Sequence, residues 1–236
     1  MILRQQQGVF IGLPEAFQRL DAVHRAELAS TSQVHSLQRN EALVAYGDAM
    51  PRAFAVRSGM LSLGYPTHVQ EIVITDFFSL HDVYCPALRP GEPASYEVRS
   101  VGRCTVVSWP LAVFDSTLAA SVDFCYWYLN QSKRRLEAHQ LHRARLNALG
   151  LEARYAFFLW SIAEQTGSGE REVMVKIPQQ TVASYLGVAR EEVSRKKQLL
   201  QKAGFIRETD HGLMLSPRLP YLFSSAEGGL LPWESD

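Results

Sequence analysis

The chain has 236 residues, 47% of them hydrophobic and 20% charged, a composition of ordinary globular proteins and not of disordered ones. That length allows one large domain or two modest ones. Basic and acidic residues number 24 each, so the net charge is zero; the chain as a whole is no polyanion binder, and any nucleic-acid surface must be local.

The start, MILRQQQGVFIGLPEAF, lacks the apolar core and small-residue cleavage site of a signal peptide. No run of about 18 apolar residues follows that could span a membrane, so none is expected. Residues 14–30 carry Phe17, Leu20, Val23 and Leu28 at helical spacing, with Pro14 suited to a first turn. From about Val34 to Trp109 the pattern changes to short apolar runs broken by Gly, Pro and Asp: ALVAYGD, AFAVRSGMLSLGY, EIVITDFF, SYEVRSVG and CTVVSW. Each has strand length, and closely spaced turns argue for a β-barrel or sandwich. Cys85, Cys104 and Cys125 are far apart without CxxC spacing, which speaks against a zinc site or disulfide framework and fits a reducing cytoplasm. No metal site is expected.

Residues 111–149 read as a long helix. Leu118, Val122, Cys125, Leu129, Ser132, Leu136, His139, Arg143 and Leu146 fall at alternating steps of four and three. A seam repeating about every 3.5 residues suits packing along a second copy of the same helix. The alternative is a helix lying on its own barrel. Residues 151–166 make a further apolar-faced helix, and TGSGERE (residues 166–172) is a polar loop.

The stretch from Ile177 to Leu215 holds two short amphipathic segments around Gly187-Val188, a basic run and a closing strand pair, the outline of a winged helix-turn-helix. Val182, Ala183 and Leu186 give the first helix an inward face, and Val193, Leu199 and Leu200 are spaced to bury one side of the second. Between Lys176 and Arg207 lie seven basic residues against two acidic ones. A basic helix meets phosphate electrostatically, and the Arg fork matches guanine O6 and N7 in the major groove.

This segment resembles the helix-turn-helix of the Crp/Fnr superfamily of bacterial transcription regulators. The family pattern I-[ST]-x-[QE]-x-[IV]-A-x-x-[LIV]-G…R-E-x-[VI]-x-R is echoed by Ile177, Gln180, Val182, Ala183, Leu186, Gly187, Arg190, Glu191, Val193 and Arg195. Earlier, Gly47-Asp48 followed by Gly59 matches G-[DE]-x10-G, and Asp76-Phe77 resembles the G-D-F element with Thr75 in place of its glycine. The resemblance implies an α+β chain. Residues 1–115 would form a β-roll of the cyclic-nucleotide-binding kind, a double-stranded β-helix. Residues 116–149 would be the dimerisation helix, with Leu118, Val122, Cys125, Leu129, Leu136 and Leu146 on the seam. Residues 150–236 would be the winged helix-turn-helix. It further implies that Arg190, Glu191 and Arg195 read bases beside Ser194, a serine of the Fnr-like branches. Gln179, Gln180, Lys196, Lys197 and Lys202 are assigned to the DNA backbone. Arg190 offers one more guanine contact, so the expected half-site resembles TGTGA more than TTGAT.

Cyclic-AMP-binding relatives hold ribose with a Glu and phosphate with an Arg. Here Ser79-Leu80 stands where Gly-Glu belongs and Ala94-Ser95 where Arg-Ser belongs. Leu80 cannot accept from a ribose hydroxyl, and the bidentate phosphate partner is missing, so cyclic AMP in the usual mode is not expected. An Fnr-type iron–sulfur cluster needs N-terminal cysteines, and none precedes Cys85. Heme stays open, because His81 and Cys85 lie where the family's carbon-monoxide sensor places its ligands. No cofactor is expected, but an unidentified small effector near Ser79, Leu80, Ser95, His139 and Gln140 stays open. Phe77, Phe78, Tyr84, Tyr126, Trp127 and Tyr128 would line such a pocket or simply form core.

The expected function is a cytoplasmic homodimeric regulator on palindromic double-stranded DNA that also meets RNA polymerase, through residues 166–172. An enzyme is not expected: G-x-S-x-G, H-E-x-x-H and a P-loop are absent, and so is the close His pair of a cupin-type oxygenase. A third class is a sensor with a degenerate helix-turn-helix that binds protein.

Overall fold

The structure is a computed structural model describing residues 10–49, 52–67, 71–85, 93–165, 172–173, 176–210 and 212–224. The chain divides into two compact units between Ala138 and His139. The long helix expected as a separate segment therefore contributes its first turns to one unit and its last turns to the other.

In the first unit the expected helix over residues 14–30 is two helices, α1 (Glu15–Gln18) and α2 (Ala22–Thr31). Asp21 causes the break: its carboxylate accepts from the backbone N–H groups of Val23 and His24 at 2.9 and 3.0 Å and so starts a new helix. Phe17, Leu20 and Leu28 are buried, but Val23, at the fresh N-terminus, is exposed.

Eight strands follow among the described residues. β1 (Gln33–Leu37), β3 (Arg52–Ser58), β6 (Val83–Tyr84) and β8 (Cys104–Pro110) form an antiparallel sheet in the order β1-β8-β3-β6. β2 (Ala42–Val44), β4 (Leu61–Pro66), β5 (Ile72–Phe78) and β7 (Glu97–Ser100) form a second in the order β2-β7-β4-β5. Phe54, Val56, Leu61, Leu63, Phe78, Val98 and Val106 fill one core of this all-antiparallel unit. At the β3–β4 turn Gly59 has φ +79°, and a Cβ there would press on the Arg103 carbonyl and lie 2.8 Å from Cys104 Cα. Only glycine fits that approach. A second core joins Phe17, Trp109, Phe114 and Phe124, with Phe17 stacked on Trp109 at 5.2 Å and edge-on to Phe124 at 5.0 Å.

Residues 111–149 are also two helices, α3 (Leu111–Ala120) and α4 (Val122–Ala148). Ser121 between them is extended, at φ −117° and ψ 105°. The interruption corrects one seam residue: Leu118 lies on α3, half-buried against the Phe17–Trp109 core, and does not continue the line of α4.

The second unit carries the end of α4, then α5 (Leu151–Gln165), α6 (Gln179–Leu186), α7 (Arg190–Lys202) and α8 (Tyr221–Ser224). A three-stranded sheet in the order β10-β11-β9 joins β9 (Glu172–Val173), β10 (Ile206–Glu208) and β11 (Leu213–Leu215). Among the described residues no helix is long and apolar enough to cross a membrane.

Candidate nucleic-acid interface

The sequence around Gly187 folds as a helix-turn-helix for local reasons. α6 buries Val182, Ala183 and Leu186. Gly187 ends it in the left-handed region at φ +67°, and the Val188 N–H returns to the Ala183 carbonyl at 3.1 Å. This αL termination satisfies carbonyls that the helix end would leave bare, and it favours glycine for lack of a Cβ. Arg154 on α5 donates to the Leu186 carbonyl at 3.2 Å, tying the same end to the preceding helix.

α7 buries Val193 and Leu200. Leu199, expected beside them, is instead half exposed, because it falls a full 100° from Leu200 around the helix. Arg190, Glu191 and Arg195 are exposed, while Ser194 is half-buried. Arg195 comes no closer than 3.9 Å to Glu192 and keeps most of its side chain in solvent. Gln180 and Lys202 are exposed and Gln179 is half-buried. Sequence reasoning passed over Gln198, which is exposed one turn beyond Ser194 on the same face. Its i+4 spacing from Ser194 was the available signal.

Two cations assigned to the DNA backbone are held inside the domain. Lys196 Nζ pairs with Glu152 of α5 at 3.1 Å, and Lys197 Nζ pairs with Glu208 of β10. Adjacent lysines point about 100° apart on a helix, so one turns to α5 and the other to the wing. The positive surface of α7 is smaller than the residue count suggests. The β10–β11 turn is closed by the Thr209 N–H to the Gly212 carbonyl at 2.9 Å and by the Gly212 N–H to Thr209 Oγ1 at 3.0 Å.

Of the seam residues on α4, Val122, Leu129 and Leu136 are 81, 58 and 59% exposed and recur every seven positions. Cys125 and Leu146 are half-buried.

The residues expected around an effector fall as follows. Ser79 is buried, its N–H donating to Asp82 Oδ2 at 2.7 Å in a turn where His81 adopts φ +73°. Leu80 and Ser95 are exposed. His139 is half-buried and Gln140 exposed on the first residues of the second unit. Beside Ser79 stands a group that sequence reasoning missed: Arg135 of α4 pairs with Asp76 and, at 2.8 Å, with Asp82, and its guanidinium lies 4.1 Å from the Phe78 ring centroid. Burial pushes the Asp82 carboxyl above its ordinary value, and the Arg135 charge opposes that push. Phe77 and Phe78 are core; Phe78 and Tyr84 pack on Phe54 at 5.8 and 5.4 Å. Trp127 and Tyr128 pack against the second core, while Tyr126 is exposed. The Cys85 N–H donates to the Tyr128 hydroxyl at 3.1 Å, and burial pushes the Cys85 thiol up to about 12. Among the described residues no group of three His, Cys, Asp or Glu is placed to hold a metal ion.

The Crp-like helix-turn-helix domain model matches residues 153–218, which contain most of α5, all of α6 and α7, and the wing. No curated protein matches the chain by sequence. Solved structures match it over most of its length. FixK2 from Bradyrhizobium japonicum is 18% identical with a TM-score of 0.71, covering 82% of this chain and 98% of its own. A mutant of CooA from Carboxydothermus hydrogenoformans is 16% identical with a TM-score of 0.66, covering 89% and 94%. A transcriptional regulator of the CRP/FNR family from Thermus thermophilus, TTHA1359, is 18% identical with a TM-score of 0.62, covering 80% and 97%. Residues 153–218 are therefore a Crp-like helix-turn-helix domain, carried on a chain with the fold of the Crp/Fnr family of transcription regulators.

Proposed function

We propose that this chain is a sequence-specific DNA-binding transcription regulator, acting as a homodimer on a palindromic site. The observation that carries the reading is the sidedness of α7. It buries Val193 and Leu200 and presents Arg190, Glu191 and Arg195 to solvent after a glycine-terminated first helix. Arg190 and Arg195 would bond guanine edges in the major groove, and Glu191 would accept from cytosine N4. Gln179, Gln180 and Lys202 would meet phosphates, which position the helix without reading sequence.

Exposed Val122, Leu129 and Leu136 support pairing with a second copy, since apolar side chains on one heptad position gain by burial against their twins. A twofold dimer sets two reading helices about one DNA turn apart, and so demands an inverted repeat. The proposed half-site is TGTGA-like, on the strength of Arg190. The protein acts in the cytoplasm, and RNA polymerase is its second partner. The surface assigned to that contact, residues 166–172, lies outside the described residues except for Glu172.

Control does not use cyclic AMP in the usual mode. Leu80 and Ala94 lack the ribose acceptor and phosphate fork, and the guanidinium over Phe78 is already engaged by Asp76 and Asp82. No cofactor is part of this reading; the trigger is an unidentified small molecule or simply the amount of protein present. Selection of bound duplexes from a random pool, with and without cell metabolites, tests it. The expected product is an inverted repeat of TGTGA-like halves. A pool that returns no enriched sequence would count against a DNA reader, and a single asymmetric site against the homodimer.

A further inference from the structure

We infer that the groove between the start of α6 and the wing seats a phosphodiester of duplex DNA, and that the Glu208 carboxylate occupies that seat while DNA is absent. The inference rests on the DNA-binding reading above.

A cavity of ≈ 830 Å³ opens here, lined by Lys176, Gln179, Lys197, Arg207 and Glu208 among others, over a floor that includes Tyr155 and Phe158. Three cations converge on it from three elements. Lys176 precedes α6, Lys197 comes from α7 and Arg207 from β10. Such convergence is costly in like-charge repulsion unless an anion sits among the cations. Of the two carboxylates in the lining, Glu208 and Asp210, Glu208 is the one held by Lys197. It also takes a hydrogen bond from Gln201 and lies in the field of Lys176. Lys197, through its hydrogen bond and charge, holds the Glu208 carboxyl below its ordinary value while the two are paired.

Exposure decides between a brace and a placeholder. The Lys197 side chain is 19% exposed but that of Glu208 is 62% exposed. A pair so open on the acidic side holds a fold weakly, because solvent and salt screen it. The same open carboxylate, next to the helix that is to meet a polyanion, repels phosphate and occupies a lysine that would otherwise bind it. Glu208 therefore sets the resting affinity for DNA of any sequence. When a phosphate enters, Lys197 exchanges one anionic oxygen for another and Glu208 swings to solvent.

The test uses the full-length protein, the selected palindromic duplex and fluorescence anisotropy across a salt series. Glu208→Gln should bind several-fold tighter at low salt. Its plot of log K against log salt should steepen by up to about 0.9 per protomer, because in the wild type the freed Glu208 carboxylate takes up a cation as the DNA releases one, and the variant does not. Glu152→Gln removes the same charge from the same domain, but on the α5 side of α7, where it pairs Lys196. It should leave the slope unchanged. In a Lys197→Ala background, Glu208→Gln should lose its effect on the slope. Wild-type binding with identical slopes for the two glutamine variants overturns this inference and leaves the DNA reading intact. No salt-dependent binding by any variant, wild type included, overturns the DNA reading itself.

Discussion

Arg190 stands first on α7, and its exposure leaves the fork free to meet a guanine edge. Replacing it with Ala should weaken binding to the selected palindrome by roughly 1–3 kcal/mol and relax preference at one base pair of each half-site. Affinities measured on the palindrome and on its single-base variants give both numbers; an unchanged base preference would remove Arg190 from the readers. The three cysteines offer a second check at this level. Burial pushes Cys85 and Cys104 each up to about 12, so both stay thiols at neutral pH and are poor nucleophiles. Native protein treated with iodoacetamide at pH 8 should leave buried Cys104 unmodified and half-buried Cys85 modified only slowly by mass spectrometry, whereas the denatured chain should react at all three. Rapid native alkylation of Cys85 would contradict the burial described here. Single residues were the least legible part of the sequence. The charges of Lys196 and Lys197 could be read, but their partners could not, because Glu152 and Glu208 come from elements that only the fold brings alongside.

Elements were legible where pattern and cap agreed. α6 and α7 follow from apolar spacing plus a glycine turn, and the strands of residues 42–110 follow from runs of β-branched and aromatic residues between turns. The breaks were not legible. Asp21 is a good N-cap, yet the apolar spacing of Phe17, Leu20 and Val23 runs straight across it. Ser121 interrupts residues 111–149 with no Gly or Pro to mark the place, and the four-three spacing of Leu118 to Val122 continues through the interruption by coincidence. On α4 itself, Leu129→Glu combined with Leu136→Glu should turn the proposed dimer into a monomer in sedimentation, with each chain still folded, since both side chains are already exposed within one copy. A double variant that still sediments as a dimer places the interface elsewhere. Arg135 makes the opposite kind of contact. Its replacement by Met keeps the apolar stem over Phe78 but leaves Asp76 and Asp82 facing each other without their cation. All three side chains are about one-fifth to one-quarter exposed, so solvent offsets part of the loss. The expected cost is about 3 kcal/mol in urea unfolding. A cost below about 0.5 kcal/mol would show that the triad is incidental.

For the whole molecule, zero net charge and a local basic helix are compatible because the counter-charges are distributed over the other elements, and some of them directly over α7. The order of the parts could be read from the sequence: an antiparallel β unit, a long helix and a winged helix-turn-helix, the fold that the solved structures share. What triggers the molecule could not. A recognition helix is written in a short contiguous stretch, whereas an effector site gathers residues from strands and helices far apart in the chain, and Ser79 is already committed to its own turn. The DNA-binding homodimer is therefore the reading to test first. Full-length protein should be titrated onto the selected palindrome and onto a scrambled duplex of equal length, at several salt concentrations, with the stoichiometry fixed by light scattering. The expected result is two chains per palindrome, affinity at least about a thousandfold above the scrambled duplex, and steep weakening with salt. One chain per duplex, or equal affinity for both duplexes, would contradict it.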